Sequence, residues 1–183
     1  MSDSQLIEHC SPTLAAIKIA SLFSSSFSGK DELYSFVRSF NRRMKQKGLV
    51  IMPLRRRDDH ALLYVWRPAM LRRDLCGPGA APILRERGYP PENPNRCIAH
   101  LTRRLNESRD FPHEIGLFLG YPPQDVKGFI EQGPDRCRLS GCWKVYGDTD
   151  AAEKQFEKFR KCRRIYRSMH LSGCPLERLT VRT

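Results

Sequence analysis

No run of this sequence is apolar for long enough to cross a bilayer as a helix, so no membrane partner is expected. It contains no glycine-rich loop of P-loop or Rossmann type, no HExxH and no GxSxG, which removes the usual sequence evidence for nucleotide, zinc-protease and serine-hydrolase chemistry. Internal repeats and low-complexity tracts are also missing, so solenoid and disordered architectures are not expected. The opening MSDSQLIEHCSPT lacks the basic start and apolar core of a secretory leader, and the cytoplasm is the expected compartment. Acidic residues are scarce, 20 Asp and Glu against 32 Lys and Arg in 183 residues, giving a formal net charge of +12. Such a balance suits anionic company: nucleic acid, a phosphate-bearing ligand or an acidic protein. Seven cysteines form an odd set, and with no route to an oxidising compartment they are expected as reduced thiols.

The local patterns predict an α+β fold: a small, mostly antiparallel sheet packed with about five helices in a single domain whose core spans about residues 6–179. Residues 13–23, TLAAIKIASLF, are apolar but do not distinguish a buried strand from a helix. Residues 31–47 place Leu33, Phe36, Val37, Phe40 and Met44 on one helical stripe ended by Gly48. Residues 49–54 and 61–66 read as a strand pair joined by the charged turn RRRDDH. Helical patterns fill 69–109, interrupted by CGPGAAP and GYPPENPN. GCWKVYGD reads as a strand, and a last helix begins near Asp150, capped with Glu153, and buries Phe156, Phe159, Cys162, Tyr166 and Met169.

Between these lies FPHEIGLFLGYPPQDVKGFIEQ, residues 111–132, with the spacing of a helix-turn-helix. The residues left for an outward face, Gln124, Asp125, Lys127 and Glu131, make a poor surface for phosphates and base edges. The stretch is therefore expected to pack, with Phe118, Phe129 and Ile130 buried and with Gly116 and Gly120 sharing a face.

Three groups of residues can carry chemistry. Cys10, beside His9, suggests a nucleophile and base, although neighbours in sequence diverge on either a helix or a strand; a helix start at Ser11-Pro12 with Cys10 packed inward is the plainer expectation. Lys18 interrupts an apolar run and must reach water or meet an anion. His113 and Glu114 stand where a general base or a first-turn acid would sit, and Lys144, Tyr146 and Asp148 follow Trp143 as candidate ligand contacts. Cys142 and Cys162 are weak candidates for a metal because no compact zinc or iron–sulfur spacing surrounds them. Cys137, between Arg136 and Arg138, is the expected reactive thiol.

Taken together, HCSPTL, FPHEIGLFLGYPPQDVKGFI, WKVYGD and KCRRIY resemble the bacterial family catalogued as domain of unknown function 3793, over about residues 6–179. The resemblance implies a single-domain intracellular bacterial protein and brings no activity or cofactor with it. Where that family often has cysteine, this chain has Ser140, with Cys137 and Cys142 on either side. The function expected from the residues is binding of a small anionic ligand, or thiol- or metal-linked redox chemistry, in a cleft gathering Cys10, Lys18, His113, Lys144 and Cys162. The alternatives are a nucleic-acid-binding protein using 111–132, or a basic accessory protein docking on an acidic redox partner.

Overall fold

The computed structural model describes residues 1–107 and 110–183. The fold is α+β, and its contacts gather into two compact units, Met1–Met70 with Lys161–Thr183, and Leu71–Arg160.

In the first unit, α1 (Asp3–Leu14) opens with a capping box: the Ser2 side chain accepts from Gln5 N and the Gln5 side chain accepts from Ser2 N. The helix thus begins well before the expected start at Ser11-Pro12, which lies inside it. The strands β1 (Ala20–Ser26), β2 (Val50–Arg57) and β3 (His60–Trp66) pair antiparallel in the order β1-β3-β2. The turn narrows to Asp58-Asp59, with Asp58 in the left-handed region at φ 46°. As the central strand, β3 buries Leu63 and Val65 on one face and Tyr64 and Trp66 on the other.

α2 (Lys30–Met44) lays Leu33, Phe40 and Met44 into a core shared with Leu6, Ile7, Cys10, Phe23, Ile51 and Leu63. One α2 side chain acts on the sheet edge: Asn41 Nδ2 donates to Ile51 O at 3.0 Å, and its Oδ1 accepts from Ile51 N at 2.8 Å. Two residues on, the β2 register shifts between Pro53 and Arg55, and Leu54 is buried at the irregularity.

Beneath the sheet end, Arg67 is fully buried. Nε donates to Thr13 O at 2.7 Å, Nη1 to Lys47 O at 3.1 Å and Thr183 Oγ1 at 2.8 Å, and Nη2 to Leu14 O at 2.7 Å and Val181 O at 2.9 Å. Burial lowers its pKa from the ordinary value, yet a guanidinium stays charged, and here carbonyl dipoles solvate it in place of a carboxylate.

The chain enters the second unit within α3 (Pro68–Leu75), which is followed by α4 (Ala80–Glu86), α5 (Pro94–Glu107), α6 (Ile115–Phe118), α7 (Pro123–Gln132), the two-residue strands β4 (Leu139–Ser140) and β5 (Lys144–Val145), and α8 (Thr149–Leu171). α8 re-enters the first unit, where α9 (Leu176–Leu179) completes the core. Asp148 caps α8 by accepting from Ala151 N at 2.9 Å, in place of the expected Asp150. Of the expected α8 stripe, Met169 is 45% exposed.

Candidate functional site

The organising group of the second unit is Asp125, a carboxylate only 3% exposed in the first turn of α7. Oδ2 accepts from Trp143 Nε1 at 2.7 Å, and Oδ1 accepts from Tyr146 N and Gly147 N, each at 2.8 Å. A buried indole needs an acceptor, and two consecutive turn amides need another; one carboxylate at a helix N-terminus supplies both. The WKVYGD segment is thereby fixed to α7. Gly128 permits the approach, since a Cβ there would lie 2.4 Å from Tyr146 Cγ. The Tyr146 hydroxyl donates to Gly133 O, so Tyr146 holds the loop that follows α7.

With Trp143 fixed, an aromatic pocket forms. Tyr121 stacks on Trp143 at 5.1 Å between centroids, Phe156 meets Trp143 edge-on at 4.5 Å, and His113 lies edge-on to Phe129 at 4.8 Å. The cavity of about 380 Å³ is walled by Phe111, Tyr121, Phe129 and Trp143, with Lys144 and His113 as the cationic and titratable groups among its lining. Asp125 reaches it only as a carboxylate already holding three N–H donors. Gly116 lets Val126 pack close beside it in the lining: a Cβ there would fall 2.7 Å from Val126 Cγ2.

The residues expected to act thus separate. His113 and Lys144 meet in this pocket, whereas Cys10 and Lys18 belong to the first unit. Cys10 is fully buried, and burial pushes its thiol up to about 12, with a hydrogen bond from Ser21 and the Lys18 charge opposing. His9 turns the other way and stacks on Phe23 at 4.7 Å. Glu114 is 2% exposed and accepts from the Tyr89 hydroxyl at 2.7 Å and from Arg104 Nη1, with Arg87 Nε 3.8 Å away. It anchors the fold beside His113. Tyr146 and Asp148 hold backbone.

Cys142 is exposed between β4 and β5, while Cys162 is buried on α8 with its thiol raised to about 11 by burial. Among the described residues, no three or more His, Cys, Asp or Glu side chains gather closely enough to hold a metal ion. Labelling the native protein at about pH 7 with a maleimide should therefore modify Cys76 and Cys142 fast, while Cys10, Cys97 and Cys162 react only after unfolding, as mass spectrometry of digested protein would read.

The helix-turn-helix spacing resolves into a single turn, α6, and the ten-residue α7. Gly120 lies beyond α6 at φ 76° and shares no helical face with Gly116. Asp125 faces inward, not outward, and Phe129 is half-buried in the pocket wall instead of being a core side chain. On the outer face, Lys127 pairs with Glu131 at 3.8 Å.

A family model described as protein of unknown function, DUF3793, matches residues 6–180. The chain belongs to that family. No curated protein and no solved structure matches this DUF3793 chain. No helix among the described residues is long and apolar enough to cross a membrane. Sequence reasoning placed Asp125 on the outer face and passed over Tyr89 and Arg104. The indole of Trp143 was the available signal for Asp125, because a buried N–H demands an acceptor.

Proposed function

We propose that the second unit binds a small organic acid with a flat apolar body. The carrying observation is the pocket of about 380 Å³ whose four aromatic walls enclose the body while Lys144 and His113 meet the acid group. Its volume lies within the range of small-molecule sites, and its composition, apolar walls with a few placed polar groups, is the usual one for such sites. Lys144 has no ion-pair partner among the described residues, so its ammonium is open to an incoming carboxylate. The aromatic walls are held by one another and by Asp125, which lowers the ordering cost of binding. Burial takes Cys10, Cys97 and Cys162 out of thiol chemistry in the native fold. A one-turn α6 and the paired Lys127 favour ligand binding over base reading.

Calorimetry with 2-naphthoate and the neutral 2-naphthalenemethanol tests this. The acid should bind at one site per chain and more tightly than the alcohol. Lys144→Gln should weaken the acid about tenfold, the loss of one charge-assisted contact, and leave the alcohol unchanged. Phe129→Ala should weaken both. Equal affinity of acid and alcohol, or binding indifferent to Phe129, would refute the reading.

A further inference from the structure

A second concavity in the same unit has the opposite chemistry. It lies between α4 and α5, has a volume of about 720 Å³, and is lined by Arg85, Arg96, His100 and Arg103 with Glu92 as its one carboxylate. We infer that this groove binds the di- or triphosphate group of a small ligand.

Arg96, His100 and Arg103 follow one another at helical spacing along α5, so one face presents two guanidinium forks and an imidazole. Arg85 of α4 supplies a third fork to the same cavity. Arg85 and Arg96 have no ion-pair partner among the described residues, and Arg103 has only the exposed Glu107 at 3.9 Å, a contact of little energy. Guanidinium forks match phosphate oxygens two at a time, and three of them outnumber what a single orthophosphate needs.

The base of the groove is built so as not to cancel this field. Tyr89 closes it, its ring 4.3 Å from that of His100 and its hydroxyl donating to Glu114 behind. The Glu114 charge is met there by Arg104, with Arg87 close by. Gly88, also in the lining, stands at φ 77°, and a Cβ there would meet His100 Cε1 at 3.6 Å. Burial first, and then the Arg103 and Arg104 charges, lower the His100 pKa from its ordinary value, with Glu114 opposing. The cations line a concavity, whereas a duplex would need them on a protruding face; the site fits a compact polyanion.

The test uses the full-length protein with orthophosphate, pyrophosphate and tripolyphosphate in calorimetry, and follows the His100 ring protons by NMR. Pyrophosphate and tripolyphosphate should each bind one per chain, at least tenfold more tightly than orthophosphate, and should raise the His100 pKa. The double substitution Arg96→Gln with Arg103→Gln should cost at least tenfold in affinity. Both side chains are exposed, so an unchanged melting temperature is expected, and 2-naphthoate binding in the aromatic pocket should persist. Lys127→Gln, on the outer face of α7, should change nothing. Orthophosphate binding as tightly as tripolyphosphate would overturn the inference, as would full affinity in the double variant. So would binding confined to duplex DNA with a steep salt dependence, which would reassign the groove to nucleic acid. Loss of naphthoate binding alone would count against the aromatic pocket and leave the groove standing.

Discussion

Replacing Arg67 with methionine should destabilise the protein by about 4 kcal/mol or more, read as a fall in the urea midpoint at unchanged slope. The substitution preserves much of the side-chain length and removes every donor. Thr13 O and Leu14 O keep Ala16 N and Val181 N but lose the guanidinium in a buried place, while Lys47 O, Val181 O and the Thr183 hydroxyl lose it in part-buried ones. Each lost hydrogen bond from the charged guanidinium costs on the order of 1.5–3 kcal/mol, less whatever relaxation and water recover at the part-buried acceptors. Arg67→Lys should recover only part of the loss, because an ammonium has three donors on one atom and cannot span acceptors from α1, the turn after α2 and the segment after α9. The two substitutions separate the charge from the fork: equal stability of Arg67→Lys and the wild type would show that charge alone suffices.

Asp125→Ala should cost about 3 kcal/mol and, with it, the pocket. Three N–H groups point at this carboxylate, and two belong to consecutive residues of the segment that ends β5. Without the acceptor, the Trp143 indole has a buried donor and no partner, and its ring loses the orientation on which Tyr121 and Phe156 pack. The near-ultraviolet circular dichroism of Trp143 should collapse while the helical signal is largely kept, and 2-naphthoate should no longer bind. Asp125→Asn keeps one oxygen but turns an amide N–H toward one of the three donors, so an intermediate loss is expected. A variant with intact stability and intact Trp143 signal would show that the segment is held by packing against Gly128 alone.

The parts of the fold carried by local pattern were readable. The α2 stripe, the strands on either side of Asp58-Asp59, and the long α8 all follow from spacing within one element. α1 was obscured by Ser11-Pro12, which reads as a helix start, although Ser2 and Gln5 already stood at capping-box spacing. β1 ends in three consecutive serines and owes its form to pairing with β3, a long-range effect that no window of sequence contains. The site was harder for the same reason. His113 and Lys144 were each singled out, but their meeting depends on Asp125, which read as one of the outward-facing residues of 111–132. Glu114 misled in the opposite sense: a carboxylate beside a histidine suggests catalysis, and its burial with Tyr89 and Arg104 is visible only in three dimensions. The α5 arginines required no tertiary information at all, since Arg96, His100 and Arg103 already stand at i, i+4 and i+7.

The Asn41 amide bound to both main-chain groups of Ile51 has a consequence for how the protein behaves in a crowd. An outermost strand with free N–H and C=O groups is a template for another chain, and stacking of such edges is how sheets grow without limit. Along β2, Asn41 occupies the pair of groups at Ile51 where an intruding strand would first dock. Pro53 then offers no N–H, the irregularity at Leu54 throws any incoming register out of step, and Arg55, Arg56 and Arg57 would face three like charges on an identical copy. On that side the sheet is closed to strand addition by five residues in a row and one amide, so the three-stranded sheet ends at β2 by chemistry rather than by default.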